Sequence, residues 1–196
     1  MIESIAKRRS IRKFKDKPVC DEDIKSIIKA AVMAPSAKNR QPWKFIVYRQ
    51  EAKKQFVDVM RKAVEDEAEK HTLMPEWSCG IPDAVNTIRV MEEAPVLISV
   101  LNTNSNNPFM EIKGESRIVE ICDSLSIGAA IENLILEATD LGLGTLWIAN
   151  TCFAYDALIR FINTKDQLIG TVAVGYADEE PMGRPRKKME DILEFR

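Results

Sequence analysis

The stretch IVEICDSLSIGAAIENLILEATDL, from Ile118 to Leu141, carries apolar residues at helical spacing, and they fall on nearly every side of the predicted helix. A helix that is apolar all round is expected to be buried all round. At about 1.5 Å per residue it rises about 36 Å, which is the width of a small domain. We therefore predict that this helix either forms the core of the domain or supplies a dimer interface.

Small residues occupy the middle of the predicted helix, where Gly128, Ala129 and Ala130 follow one another. Residues of this size would let a second helix approach closely. The helix also carries more apolar surface than one small domain is expected to hide, and obligate dimer interfaces commonly bury upwards of about 2,000 Å². The sequence therefore favours a homodimer.

Shorter helices and strands flank the long helix on both sides in the sequence. A helix with Asp21 as its N-cap is predicted to stop at Ala34, because Pro35 disfavours helical backbone in the residue before it. Further helices are predicted at 2–6, 51–70 and 154–162, and strands at 44–48 (buried), 95–101, 145–149 and 167–177 (central). Four strands among these helices predict an α+β sandwich with the sheet in its middle.

Two segments lack a clear period and are predicted to be irregular. In the first, residues 71–86, the pattern is interrupted by Pro75, Gly80 and Pro82. The second is a polar loop at 102–108. Irregular segments of this kind often form lids or pocket walls.

The composition is that of an ordinary soluble protein. Charged residues make up 30% of the 196 residues and hydrophobic residues 45%, which excludes a disordered chain. A formal net charge of −2 gives the whole protein no attraction to nucleic acid or to an anionic membrane. The N-terminus lacks the apolar core of a secretory signal, and no apolar run approaches the roughly 18 to 20 residues that span a bilayer. These features predict a cytoplasmic protein with one domain, residues 1–196.

Metal and nucleophile chemistry find little support in the sequence. The cysteines stand far apart, without the paired spacing of a zinc site or a disulfide framework; they are Cys20, Cys79, Cys122 and Cys152. The only histidine, His71, lies in a charged stretch, so neither a metal site nor Ser-His-Asp catalysis is expected.

Near the start of the chain, the stretch Arg8-Arg9-Ser10-Ile11-Arg12 holds three guanidinium groups and a hydroxyl. If its backbone is extended, Arg8, Ser10 and Arg12 project to one side and the two residues between them to the other. Guanidinium groups bind phosphate oxygens through charge-assisted hydrogen bonds. The stretch therefore predicts a phosphate site, and the alternative is that it forms a solvated basic face.

The loop from Pro35 to Trp43, PSAKNRQPW, is rich in short hydrogen-bonding side chains. Serine and asparagine satisfy their own backbone in such turns, so one interpretation is a loop that only stabilises itself. The other is a binding loop, because Asn39 and Gln41 each offer a donor and an acceptor, as the edge of an imide would require.

Four motifs together resemble the FMN-dependent nitroreductase-like oxidoreductases. They are RRSIRKF after the first helix, the APSAKNRQPWKF loop, the GAAIENLILEATDLGLGTLWI helix and strand, and the GYADEEPMGRPRKKMEDI ending. They occur in the family's order at both ends and in the centre, and leave residues 50–93 and 102–115 poorly matched. The resemblance implies a three-layer sandwich around a mixed, mainly antiparallel sheet, and a homodimer with FMN at the subunit interface.

The resemblance also implies where the flavin binds. Arg8 and Arg12 match the positions that address the FMN phosphate and the flavin pyrimidine edge, and residues 184–186 match a second phosphate cluster. The 35–39 loop matches one that reaches the flavin of the other subunit, and 148–150 match a segment whose backbone lies beside the reactive flavin nitrogen. The predicted cofactor-binding residues are Arg8, Arg9, Ser10, Arg12, Pro35, Ser36, Ala37, Asn39, Gln41, Ile148, Ala149, Asn150, Arg184 and Arg186.

Two departures from the family pattern concern the flavin itself. Ala37 stands where many members have a second serine, which removes one hydrogen bond to the flavin. Thr87 and Val90 fall roughly where some members have a polar contact and a lysine at the pyrimidine edge. If Val90 takes the place of that lysine, Arg12 alone supplies positive charge there.

The function that the resemblance implies is hydride transfer from NAD(P)H through the flavin to a small acceptor, such as a nitroaromatic or a quinone, with ping-pong kinetics. This chemistry needs no acid or base from the protein, so no catalytic side chain and no metal are predicted. Acceptor specificity is expected in the poorly matched segments, with Trp77 and Phe109. The alternatives are a flavin-binding module that senses or stores redox equivalents, and a nucleic-acid site, which the net charge disfavours.

Overall fold

The computed structural model describes residues 1–104 and 107–196, so two residues of the predicted 102–108 loop lie outside the described part. Its centre is a four-stranded antiparallel sheet of β1 (Trp43–Arg49), β2 (Val96–Asn102), β3 (Gly144–Ile148) and β4 (Gln167–Gly175), in the order β1-β2-β4-β3. The one parallel pairing among the described residues is an isolated bridge between Ser10 and Thr145. The α+β class with a mainly antiparallel sheet is thus confirmed.

Helices cover both faces of this sheet. They are α1 (Glu3–Lys7), α2 (Asp21–Val32), α3 (Gln50–Lys70), α4 (Ile81–Glu93), α5 (Glu115–Asp140) and α6 (Tyr155–Ile162), with short 3₁₀ helices at 37–39, 75–80, 150–154 and 189–191. One apolar cluster joins α3, α4 and α6 to one face of the sheet, and a second joins α2 and α5 to the other face. The three-layer arrangement is confirmed. No helix within residues 1–104 and 107–196 is long and apolar enough to cross a membrane.

Strand β2 shows why the sheet lies in the middle of the sandwich. Its alternate residues Leu97 and Leu101 belong to one apolar cluster, while Ile98 and Val100 belong to the other. Every residue of β2 is buried, and β4, its neighbour, is buried along almost its whole length, as expected for a central strand. The strand predicted at 44–48 is confirmed as β1, but its predicted burial is wrong, because β1 lies at the sheet edge and only Tyr48 in it is buried.

The long helix α5 changes its environment along its length. Its second half is buried against α2 and the sheet, with Ile127, Ile131 and Leu134 in the core. Its first half exposes apolar side chains, among them Ile118 at 62% and Leu125 at 70% of their area. The prediction that the helix is buried on all sides is therefore wrong for its first half within a single chain.

Helix α4 is the element that the sequence did not predict. Residues 71–86 were expected to be irregular because of their prolines, but Pro75 and Pro82 each lie in the first turn of a helix, where the missing N–H costs nothing. Helix α2 also differs from the prediction, because its N-cap is Cys20 and not Asp21. The Cys20 Sγ accepts a hydrogen bond from the Asp23 N–H at 3.4 Å. That helix ends at Val32, two residues before the predicted stop.

Glu67 anchors the chain where it leaves α3. Its carboxylate is buried and accepts the backbone N–H groups of Thr72 (3.1 Å), Leu73 (2.9 Å) and Met74 (3.0 Å), as well as the Thr72 hydroxyl (3.0 Å). His71 between them has left-handed backbone, φ 50°, which ends the helix. Burial raises the pKa of Glu67, but the hydrogen bonds from Met74, Leu73 and Thr72 outweigh it and hold the pKa below the usual value.

Replacing Glu67 by glutamine should lower the free energy of unfolding by about 1.5–3 kcal/mol at pH 7, the range for hydrogen bonds to charged groups. Because the pKa is lower in the folded state, the carboxylate stabilises the fold at neutral pH, and this stabilisation is lost as the pH falls. Urea unfolding should therefore show a difference between wild type and Glu67→Gln that shrinks in acid. Glu65→Gln, at an exposed position of the same helix, is the control and should change little. A difference independent of pH would contradict this account.

Candidate functional site

The arginine-rich stretch leaves α1 at Lys7 and runs in extended form beside β3. Ser10 bridges to Thr145, and the Ile11 N–H donates to the Thr145 carbonyl at 2.9 Å. Further on, Phe14 bridges to Ala177 just after β4. The stretch is thus fixed to the last two strands of the sheet, and the extended conformation expected for it is observed.

Close packing holds this stretch against β3. Ile11 is buried and lies so near Gly144 that a Cβ at residue 144 would be 2.8 Å from its Cγ1 and 3.1 Å from its Cβ. Only glycine at the start of β3 allows this approach. Gly144 therefore sets how close the arginines lie to the sheet.

Replacing Gly144 by alanine should reduce the free energy of unfolding by about 1–3 kcal/mol, the usual cost of overpacking. Ile11 is β-branched and has few other rotamers in which to avoid the new methyl group. Urea unfolding measures the loss. The double variant Ile11→Ala/Gly144→Ala removes the 2.8 Å contact and leaves only the Cβ–Cβ approach of 3.1 Å, so Gly144→Ala should cost less stability in the Ile11→Ala background than in wild type. Additive losses in the double variant would show that the two residues do not press on each other.

The C-terminal segment is tied back to the same stretch. The Glu179 carboxylate accepts the backbone N–H groups of Arg12 and, at 3.2 Å, Lys13. The Asp178 N–H donates to the Lys13 carbonyl at 2.9 Å. These bonds bring residues 181–186 across the arginines near the start of the chain.

A cavity of about 360 Å³, the arginine cavity, lies between the two segments. It is lined by Arg8, Arg9, Ser10, Arg12, Pro181, Met182, Gly183, Arg184 and Arg186. Five guanidinium groups meet there, and none of the described lining residues is acidic. Such a donor set is suited to a phosphate, which accepts several forked, charge-assisted hydrogen bonds. The structure therefore brings all six of the predicted residues at the two ends of the chain together.

The side chain of Arg9 does not lie where strand alternation predicts. An extended backbone predicts that it faces away from Arg8, yet it too lines the arginine cavity. Its Nη1 donates to the Ala6 carbonyl at 2.9 Å and to the Arg8 carbonyl at 2.8 Å. The long side chain folds back over the end of α1, so alternation at its Cβ does not decide where its charge lies. Ile11, by contrast, is buried in the core as alternation predicts.

A second cavity of about 200 Å³, the β3 cavity, adjoins the first through Arg12, which lines both. Its lining comprises Arg12, Asp83, Asn86, Thr87, Val90, Leu146, Trp147, Ile148, Ala149 and Asn150. The predicted segment 148–150 lies here, beside Thr87 and Val90. Arg12 is the one cation among the described residues of this lining.

Sequence reasoning missed Asp83 and Asn86, because it missed α4. The Asn150 side-chain amide donates to Asp83 Oδ2 at 2.9 Å and to Thr87 Oγ1 at 3.1 Å, so α4 holds the turn after β3. The signal in the sequence was the polar set 83, 86 and 87, which lies at helical spacing beside the apolar residues Ala84 and Ile88.

The loop at 35–41 lies away from both cavities. None of its predicted residues, Pro35, Ser36, Ala37, Asn39 and Gln41, lines the arginine cavity or the β3 cavity. The loop partly satisfies itself, as one interpretation expected: Ser36 Oγ accepts the Gln41 N–H at 3.0 Å, and Gln41 Nε2 donates to Asn39 Oδ1 at 3.1 Å. Within one chain, the structure does not bring this loop to the other predicted residues.

Trp77 and Phe109 also lie outside the lining of the two cavities. Trp77 is mostly exposed in the 3₁₀ helix at 75–80. The Phe109 ring packs edge-on against Tyr155, with the ring centres 5.6 Å apart. The expectation that these two residues set acceptor specificity stays a prediction.

Comparison with known proteins gives matches along most of the chain. The sequence profile described as the nitroreductase family matches residues 5–176. A protein of Archaeoglobus fulgidus, provisionally named an NADH dehydrogenase/NAD(P)H nitroreductase, is 33% identical over 147 residues, which are 75% of this chain and 66% of that protein.

Two solved structures have the same fold over nearly their whole length. A BluB-like flavoprotein of Clostridium difficile is 28% identical, with a TM-score of 0.79 over 98% of this chain and 97% of the other. A provisionally assigned nitroreductase of Desulfovibrio desulfuricans, solved in complex with FMN, is 25% identical, with a TM-score of 0.72 over 100% and 96% of the two chains.

Proposed function

This chain belongs to the nitroreductase family, and on that premise we propose that it is an FMN-dependent oxidoreductase, which passes a hydride from NAD(P)H through the flavin to a small acceptor such as a nitroaromatic or a quinone. The observation that carries the proposal is the pair of adjoining cavities that share Arg12. One is rich in cationic donors and the other is lined by mixed polar and apolar side chains. This is the order in which a flavin mononucleotide presents its phosphate and its ring.

The residues present fit that cofactor. Arg8 and Arg184 belong to a set of five guanidinium groups, enough to offset the roughly two negative charges of a phosphate monoester near neutral pH. Ser10 adds a hydroxyl that donates or accepts. In the β3 cavity, Thr87 and the 148–150 backbone offer polar atoms, while Val90 and Leu146 offer apolar contact for a ring.

When bound, FMN supplies the reversible acceptance of a hydride, and the side chains bind and orient it. Arg12 holds a fixed positive charge where the two cavities meet, and this charge would stabilise added electron density on a bound flavin and raise its reduction potential. Because Val90 carries no charge, Arg12 acts there without help from a lysine. The nucleotide and the acceptor use the same space in turn, which predicts ping-pong kinetics.

A homodimer completes the proposed site. The apolar side chains exposed on the first half of α5 would be covered by a second chain, and Gly128 has open space around it, so that another helix can approach. In that dimer the 35–41 loop of one chain would contact the flavin of the other. This arrangement explains why the loop lies apart from both cavities of its own chain.

The test uses the purified protein under anaerobic conditions. It should be yellow, its flavin absorbance should bleach on addition of NADH or NADPH, and a quinone or nitroaromatic should restore the colour. A flavin that stays oxidised with both nucleotides would contradict the proposed hydride donor. Rapid bleaching without consumption of any acceptor would favour the alternative, a flavin-binding module that senses or stores redox equivalents.

A further inference from the structure

A buried ion pair joins the 35–41 loop to α5. Both Nε and Nη2 of Arg40 donate to Asp123 Oδ1, at 2.8 Å and 2.7 Å. The Asp123 side chain is 1% exposed and the Arg40 side chain 26%. The second carboxylate oxygen of Asp123 is buried and has no hydrogen-bond partner among the described residues. Arg40 is thus the cation that makes this buried carboxylate tolerable.

A second contact from α5 holds the other end of the same turn. Ser126 lies three residues after Asp123, on the same side of the helix. Its hydroxyl accepts the Ala37 N–H at 3.2 Å and donates to the Cys122 carbonyl at 2.7 Å. The segment from Ala37 to Arg40 is therefore fixed at both ends to one helical turn.

The turn between these anchors, together with the residue that follows it, has an unfavourable backbone. Lys38, Asn39 and Gln41 all have left-handed conformations, with φ of 53°, 53° and 49°. Side chains with a Cβ adopt this region at a cost, so the surrounding structure must impose it. The hydrogen bonds within the loop lie at the surface, whereas those of Arg40 and Ala37 reach the buried side of α5. The anchors on α5 are the contacts able to impose the conformation.

We propose that Arg40 and Asp123 are positioning residues for the flavin. They act through the 35–41 loop, to which Arg40 belongs. By fixing Arg40, the pair positions the side chains of its two neighbours, Asn39 and Gln41. Both side chains are exposed, and they carry donors and acceptors suited to an imide edge. This inference rests on the proposed function, since it takes FMN as the cofactor and the 35–41 loop as a contact of the partner subunit's flavin.

The location of the pair also links the loop to the proposed interface. Asp123 lies on α5 between Ile121 and Leu125, both of which expose apolar side chains. The helix that would contact the second chain is therefore the helix that fixes the loop. Docking of the two chains and presentation of Asn39 and Gln41 share one rigid element.

The test separates positioning from stability. Arg40→Met leaves an uncompensated buried carboxylate, so it should lower both stability and FMN affinity. In Arg40→Met/Asp123→Leu the pair is replaced by apolar groups, a change that is often neutral or stabilising, so resistance to urea should return. If the pair positions the loop, the double variant should still bind FMN at least 10-fold more weakly than wild type. Arg61→Met, which removes the exposed pair of Arg61 with Glu92, is the matched control and should leave affinity unchanged.

Hydrogen exchange of the apoprotein gives an independent readout. In the double variant, the amides of residues 36–41 should exchange faster than in wild type, while those of β2 and β4 keep their protection. Wild-type FMN affinity and unchanged exchange in a stable double variant would overturn the positioning role. A wild-type protein that binds no FMN would instead overturn the proposed function, whatever the exchange of the loop.

Discussion

Replacing Arg8 by alanine should weaken FMN binding by about 10- to 100-fold. Its side chain is only 24% exposed and lines the arginine cavity, so in the proposed site it would meet the phosphate where water is partly excluded. Hydrogen bonds to charged groups contribute about 1.5–3 kcal/mol, and about 1.4 kcal/mol corresponds to a factor of ten. The dissociation constant follows from titrating the apoprotein with FMN and recording the quenching of flavin fluorescence.

Lys15→Ala is the matched control, because Lys15 belongs to the same basic run. Its backbone N–H donates to the Tyr176 carbonyl at 2.9 Å, but its exposed side chain lines neither cavity. The affinity for FMN should change by less than about threefold, because a distant exposed lysine attracts the phosphate only weakly through screening salt. Equal losses in the two variants would return the run to the interpretation of a solvated basic face.

Replacing Leu125 by glutamate should convert the protein from a dimer to a monomer and reduce its FMN content strongly. In a single chain this residue is 70% exposed, and an exposed substitution usually changes stability by less than about 0.5 kcal/mol. In the proposed dimer, the same change places an unpaired charge in an apolar interface, where its desolvation is costly. Sedimentation velocity measures the mass, and the absorbance of the purified protein measures bound flavin.

The control for Leu125 is Val85→Glu on α4, which also exposes an apolar side chain, at 51% of its area, but lies on the other face of the sheet. It should leave mass and flavin content unchanged. A Leu125→Glu protein that stays dimeric with full FMN would show that the first half of α5 is not the interface. A wild-type monomer with bound FMN would contradict the shared site itself.

Local pattern in the sequence was sufficient to predict the four strands, most helices and the phosphate-binding character of residues 8–12, whereas the meeting of these arginines with those at 184–186 was implied by the resemblance to the family. The continuous apolar run of β4 and the helical spacing of apolar residues on α3 are visible in the local sequence. Helix α4 is not evident from the sequence because proline usually interrupts a helix, whereas Pro82 lies in the first turn of α4, where its ring fits. Asp83 lies on this helix and is therefore absent from the predicted site.

Other features could not be predicted because they depend on contacts between distant segments. Glu179 binds the backbone of Arg12 across nearly the whole chain, and no local pattern signals this pairing. The burial of α5 was overestimated, because a uniformly apolar helix does not show which of its parts faces its own domain and which faces outward. The pairing of Arg40 with Asp123 is of the same kind, because a carboxylate in an apolar helix needs a partner if it is buried, but no local pattern indicates that Arg40 is that partner.

The most direct test of the proposed phosphate site compares the binding of FMN with that of riboflavin, which has the same ring and lacks the phosphate. If the arginine cavity holds the phosphate, the wild-type apoprotein should bind FMN at least about 100-fold more tightly than riboflavin, in keeping with two or more charge-assisted hydrogen bonds. Arg8→Ala should reduce the ratio of the riboflavin and FMN dissociation constants, because it weakens the binding of FMN and leaves that of riboflavin unchanged. Equal dissociation constants for the two flavins in the wild-type protein would contradict the account.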